Sequence, residues 1–89
     1  MLNYEHIILK RLANCYRYFQ ELYDEQEDDE AIQYWWDKVL CYKGILKAVY
    51  KEPFTLLIED DIFIACCSYI KFKVSFDDYS IVVSSNELL

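Results

Sequence analysis

The sequence predicts an α+β fold, in which an antiparallel two-helix hairpin packs on an antiparallel β-meander in the order ααβββ. In the first half of the chain, apolar residues recur every three or four positions, whereas after Pro53 they recur at every second position. Acidic clusters typical of turns separate the apolar runs of the second half. The 89 residues suffice for one domain. We therefore predict a single domain over 1–89, with a helical hairpin over 3–51 and a sheet over 54–85.

The first helix is predicted from Asn3 to about Asp24. Its apolar stripe comprises Ile8, Leu12, Cys15, Phe19 and Leu22. Asn3 is a good helix N-cap, and Glu5 lies near the positive end of the helix dipole. The segment from Glu25 to Asp29 is predicted to connect this helix to the next one.

A second helix should begin near Glu30, with Asp28 or Asp29 as its cap, and run to about Lys51. Its apolar stripe comprises Ile32, Trp35, Val39, Tyr42, Leu46 and Tyr50. Pro53 disfavours the helical conformation in the residue before it, so we expect the helix to end there.

Three strands are predicted, over 54–58, 62–76 and 80–85, with acidic turns at 59–61 and 77–79. One alternating register persists from Ile62 to Phe76, which favours a single long, bent strand. A break around Ser68 would make it two strands and give the sheet a fourth.

The even positions of this long strand are predicted to form the core face. Phe63, Ala65, Cys67 and Tyr69 would then lie on the opposite, open face. An apolar half-face on a small protein is a candidate interaction surface. Phe63 and Tyr69 are therefore candidate self-association residues in a homodimer, with cover by the chain termini or by a twisted strand as the alternative.

The composition excludes several kinds of site. One glycine is too few for a phosphate-binding loop, and one histidine with no C-x-x-C pair does not make a zinc site. The four cysteines are expected to be buried, reduced thiols. We expect no cofactor, no metal, no signal peptide and no membrane span, and a cytoplasmic location.

Seven carboxylates lie between positions 21 and 30, and they are the most unusual feature of the chain. They are Glu21, Asp24, Glu25, Glu27, Asp28, Asp29 and Glu30. A calcium loop counted from Asp24 fails, because Asp29 stands where glycine is needed and Trp35 where glutamate is needed. A paired-carboxylate active site would need a buried cleft, which an exposed corner does not supply. We therefore expect no catalytic residues and no enzyme activity.

Two interpretations of the acidic run remain. Carboxylates on a helix end, a loop and a helix start resemble the charge of nucleic acid and could occupy a basic protein surface. Alternatively, they form a solvated corner that stabilises the start of the second helix. Tyr34, which lies off the apolar stripe, is a candidate anchor beside the acidic run.

The expected function is a non-catalytic acidic binding module that inhibits a partner by engaging its basic, nucleic-acid-binding surface. The net charge of −7 disfavours direct binding to nucleic acid. Small size, acidity and the lack of a catalytic set are shared with nuclease immunity proteins and phage-encoded anti-defence proteins, although no motif supports that likeness. The alternative is a small homo-oligomeric assembly subunit that uses the open apolar face of the sheet.

Overall fold

The computed structural model describes residues 4–85, which form two helices followed by a four-stranded antiparallel sheet. The helices are α1 (Tyr4–Asp24) and α2 (Asp29–Tyr50), and the strands are β1 (Thr55–Glu59), β2 (Ile62–Cys66), β3 (Ile70–Ser75) and β4 (Ile81–Ser85). The order ααββββ confirms the predicted α+β class, with the fourth strand that a break near Ser68 provides. The chain divides into two compact units, Met1–Ile45 and Leu46–Leu89. The predicted cap Asn3 lies outside the described residues.

The two helices run antiparallel, as predicted. Tyr18 of α1 stacks on Trp35 of α2, with ring centroids 5.0 Å apart. Further along α1, Tyr23 lines a cavity together with Ile32, which lies nearer the start of α2. The buried residues of α1 follow the predicted stripe and its neighbouring row: Ile8, Leu9, Leu12, Ala13 and Cys15.

The four strands form a simple meander in the spatial order β1-β2-β3-β4. Phe63 of β2 pairs with Val74 of β3, and Ala65 pairs with Phe72. All four of these side chains are buried, so they form one core face of the sheet. The odd positions of β2 therefore share a face with the even positions of β3.

This pairing overturns the prediction of one long strand. The chain turns between β2 and β3, where the Cys67 N–H donates a hydrogen bond to the Ile70 carbonyl at 3.0 Å. Because Cys66 pairs with Lys71, even-numbered residues of β2 lie on the same face as odd-numbered residues of β3. Phe63 has no exposed surface, so the prediction that it lies on an open face is wrong.

Acidic turns separate the strands at both predicted places. Between β1 and β2, Asp60 and Asp61 have φ angles of 53° and 60°, the left-handed pair of a type I′ hairpin turn. Between β3 and β4, the Ser80 N–H donates to Asp78 Oδ1 at 2.9 Å. Hydrogen bonds from Ser80 hold the pKa of Asp78 below its ordinary value.

The β2–β3 turn is tied to the end of α2. The Tyr69 hydroxyl donates to the Tyr50 carbonyl at 2.5 Å, which satisfies one of the carbonyls left open at a helix end. Glu52 accepts hydrogen bonds from the Ser68 N–H at 3.0 Å and from the Ser68 hydroxyl. These bonds hold the pKa of Glu52 below its ordinary value. Desolvation, with the nearby Cys67 and Glu52, raises the pKa of Tyr69.

Candidate functional site

The seven carboxylates of 21–30 lie around the corner where α1 ends and α2 begins, and we call this surface the acidic ridge. Its members are Glu21, Asp24, Glu25, Glu27, Asp28, Asp29 and Glu30, and every one of them is exposed to solvent. The site is therefore built by two helix ends and the short loop between them.

The end of α1 is held in a Schellman motif. The Glu27 N–H donates to the Leu22 carbonyl at 3.0 Å, and the Gln26 N–H donates to the Tyr23 carbonyl at 3.2 Å. Gln26 has a φ of 53°, which is the left-handed conformation that this motif requires after a helix. Glycine usually occupies that position, so the sequence carried no signal for the motif.

The start of α2 is capped by Asp28. Its Oδ1 accepts a hydrogen bond from the Glu30 N–H at 3.1 Å, and its carbonyl accepts the first helical bond from the Ile32 N–H at 3.1 Å. Of the two predicted caps, the structure selects Asp28. The ridge backbone is therefore fixed by hydrogen bonds on both sides of the loop.

Little of the ridge charge is neutralised within residues 4–85. Arg17 Nε lies 3.5 Å from Glu21 Oε1, and the two side chains form an ion pair. Both side chains are substantially exposed, so the pair contributes little to stability. The last turn of α1 contains no basic residue. Most of the charge is therefore available to a partner.

A cavity of about 460 Å³ opens within the ridge. It is lined by Tyr23, Gln26, Glu27, Asp29 and Ile32. Tyr23 is 62% exposed, so its ring forms an accessible wall. The cavity thus combines an apolar side chain and an aromatic ring with two carboxylates. Sequence reasoning missed it, because it depends on how the two helix ends come together.

A second group of aromatic rings lies further along the hairpin. The rings of Tyr18 and Tyr34 both contact Trp35, at centroid distances of 5.0 Å and 5.2 Å. Tyr34 remains 55% exposed, so its ring is accessible to solvent. The Lys38 ammonium lies 5.0 Å from the centre of the Tyr34 ring, a cation–π contact. This aromatic surface therefore already holds one cation.

The two predicted self-association residues do not share an open face. Phe63 is fully buried in the core face of the sheet. Tyr69 is 44% exposed, but it lies in the β2–β3 turn and its hydroxyl is bonded to the Tyr50 carbonyl. The open face predicted to carry these residues therefore does not exist in that form.

All four cysteines are free thiols. Cys15 and Cys67 are buried and Cys66 is half-buried, but Cys41 is exposed, which corrects the expectation that all of them are buried. Burial raises the pKa of the Cys15 thiol, against the opposing effect of Lys38 and Arg11. Within residues 4–85, no group of three or more His, Cys, Asp or Glu side chains is placed to hold a metal ion. In the same part of the chain, neither helix has the length and apolarity to cross a membrane.

Comparison with known proteins finds no matching family model, no similar curated protein and no similar solved structure.

Proposed function

We propose that this protein is a non-catalytic binding module whose acidic ridge engages a basic, nucleic-acid-binding surface of a partner protein. The observation that carries the proposal is that seven exposed carboxylates lie on a backbone fixed by a Schellman motif and an N-cap. An ordered array of charge loses little conformational freedom on binding. An inhibitor of a nuclease or of a defence complex, as in immunity and phage anti-defence proteins, would act in this way.

The charge of the ridge suits such a partner. Duplex DNA presents roughly one negative charge per 1.7 Å of helix axis, and proteins that bind it supply matching lysines and arginines. Such a basic surface attracts a dense patch of carboxylates, which speeds association and makes it sensitive to salt. The same charge, within a net charge of −7, repels nucleic acid itself.

The cavity provides a binding site for one basic side chain of the partner. A lysine or arginine of the partner would lay its methylene groups against Ile32 and the Tyr23 ring. Its charged end would then reach Glu27 and Asp29, which line the same cavity. Tyr34 adds an exposed ring that can pack against an apolar or aromatic side chain of the partner.

A cytoplasmic setting belongs to this proposal. The four cysteines are all unpaired, and free thiols persist in reducing compartments. Nucleases and defence complexes that act on intracellular nucleic acid share that compartment with the protein.

The proposal is tested by capture of a partner on the immobilised chain from a lysate of the source organism, followed by elution with duplex DNA. If the ridge mimics nucleic acid, duplex DNA should release the captured protein. Capture should also weaken as salt rises from 50 to 500 mM. Because binding releases several counterions, affinity should fall by several powers of ten over this roughly tenfold range of salt. Capture that is indifferent to both would reject the proposal.

Matched variants assign the effect to the ridge. The test variant changes four ridge carboxylates to serine: Glu25, Glu27, Asp28 and Asp29. Serine keeps the capping function at Asp28. The control variant removes four negative charges elsewhere: Glu59→Gln, Asp60→Asn, Asp61→Gly and Asp77→Asn. Asn-Gly suits the type I′ turn at 60–61. We expect the test variant to lose DNA-reversible capture and the control variant to keep it; equal loss in both would show that only the net charge matters.

A further inference from the structure

The outer edge of β4 has backbone groups with no partner among residues 4–85. β4 lies at the end of the sheet order, and residues 4–85 place no strand on its other side. An edge strand presents a row of N–H and C=O groups that can pair with another strand.

The register shows which of these groups point outward. The Ser75 N–H donates to the Ser80 carbonyl at 3.0 Å, which makes this the first bonded pair between β3 and β4. Bonded and non-bonded pairs alternate in an antiparallel ladder, so Val82 and Ser84 also bond to β3. The backbone groups of Ile81, Val83 and Ser85 therefore point away from the sheet.

The side chains of β4 do not protect this edge. Val82 and Val83 are adjacent, so they lie on opposite faces, and they are 59% and 50% exposed. The run from Ser80 to Ser85 contains no charged residue and no proline. Natural edge strands are usually guarded by such residues, as β1 is by Pro53 before it and Glu59 at its end.

We propose that β4 pairs antiparallel with the β4 strand of a second copy of this chain, around a two-fold axis at Val83. In that register Val83 lies opposite its own copy, and the outward backbone groups of Ile81 meet those of Ser85. The two four-stranded sheets become one continuous sheet of eight strands.

A second copy fits this edge better than a charged partner does. The strand is uncharged, and the neighbouring strand β3 contributes Lys71 and Lys73 rather than acidic residues. This is therefore a part of a −7 chain that a like-charged copy can approach. A five-residue strand on each side makes a small interface, so the dimer is weak and its population depends on concentration.

Sedimentation velocity across a range of protein concentrations tests the proposal, with Val83→Lys as the test variant. Like charges directly opposite each other on paired strands repel, so the substitution should raise the dissociation constant by about tenfold or more. Val49→Lys is the matched control, because Val49 is 49% exposed on α2 and gains the same charge there. Dimerisation that is equal in wild type and Val83→Lys, or a wild type that stays monomeric at millimolar concentration, overturns the proposal.

Amide hydrogen exchange of the wild-type protein supplies a test that needs no variant. The Val82 N–H bonds to β3 and should be protected at every concentration, whereas protection of the Ile81 and Val83 amides should rise as the dimer forms. Protection of the Val83 amide in a monomeric sample, independent of concentration, would show that the chain covers its own edge and would also overturn the proposal.

Discussion

Neutralising Asp24 and Glu25 should make this protein more stable. Both lie at the end of α1, where the unpaired carbonyls of a helix carry a partial negative charge. The last turn of α1 holds no basic residue to offset them. Negative side chains at this end are unfavourable, in contrast to the carboxylates of the first turn of α2.

The size of the effect follows from the number of charges and their exposure. An exposed charge at a helix end changes stability by about 0.3–1 kcal/mol at low ionic strength. Asp24→Asn with Glu25→Gln should therefore raise the free energy of unfolding by roughly 0.6–2 kcal/mol. Relief of repulsion from the other ridge carboxylates has the same sign. The gain should shrink with added salt, because the Debye length falls from ~30 Å at 0.01 M to ~8 Å at 0.15 M.

Urea denaturation in low and physiological salt measures this change, and a mirror-image control isolates its cause. Asp29→Asn with Glu30→Gln removes the same charge from the first turn of α2, where the carboxylates are favourable. That control should lower the free energy of unfolding by a smaller amount, because relief of repulsion among the ridge carboxylates opposes the loss of the favourable dipole interaction. If both double variants change stability in the same direction, the dipole argument is refuted and only the net charge matters.

Three further predictions concern the fold and its hydrogen bonds. Phe63→Leu should lower the free energy of unfolding, measured by urea denaturation, by about 1–2 kcal/mol, and Ile64→Val should lower it by less than about 0.5 kcal/mol. The reason is that Phe63 is fully buried whereas Ile64 is half-exposed. The reverse order would support a single long strand over 62–76. Asp28→Ala should lower the free energy of unfolding by about 1 kcal/mol through loss of the cap, and an unchanged value would contradict the cap. Because Ser68 lowers the pKa of Glu52 in the folded state, the stability that this bond gives is present above the ordinary carboxyl pKa of about 4.3 and is lost as pH falls through the lowered value. Glu52→Gln should therefore reduce stability at pH 7 and flatten its fall below about pH 5, whereas an acid limb parallel to that of wild type would contradict the bond.

The helices could be predicted from the sequence because their signals are local. The apolar spacing, the acidic residue at the start of α2 and the proline after it place both boundaries of α2 within one or two residues, at Asp29 and Tyr50. The sheet was harder, because one alternating pattern is compatible with a straight strand or with two strands that fold back. The turn at Ser68 and Tyr69 contains no glycine, proline or asparagine, so Ser68 indicated a break only as an alternative to the continuous alternating pattern.

That hidden turn changed which residues face outward. A two-strand arrangement places Phe63 in the core and puts Ile64 opposite Leu57 on the other face, where Leu57 is 42% exposed. The exposure of the ridge carboxylates, in contrast, could be predicted, because charged residues between two helices are exposed wherever the helices lie. The order of the ridge could not, since the left-handed Gln26 and the cavity beside it depend on hydrogen bonds between residues at the helix end.

The charge at the end of α1 bears on why the ridge exists. The carboxylates at the start of α2 stabilise that helix, so folding alone explains them. Asp24 and Glu25 are expected to oppose folding, and in that case stability alone does not explain them. Residues that lower stability and make no compensating interaction in the fold are typical of functional surfaces. If Asp24→Asn with Glu25→Gln raises the free energy of unfolding and weakens partner binding, these two residues lower stability in favour of binding.

The two proposals respond oppositely to salt, which separates them in one titration. Engagement of a basic partner by the ridge releases counterions, so it weakens as salt rises. Pairing of β4 brings together two chains that each carry a net charge of −7, and their long-range repulsion is screened as salt rises. Dimerisation should therefore strengthen between 0.05 and about 0.5 M salt while partner capture declines. A dimer that dissociates over the same range would instead be held by charge, which pairing of the uncharged β4 strands does not supply.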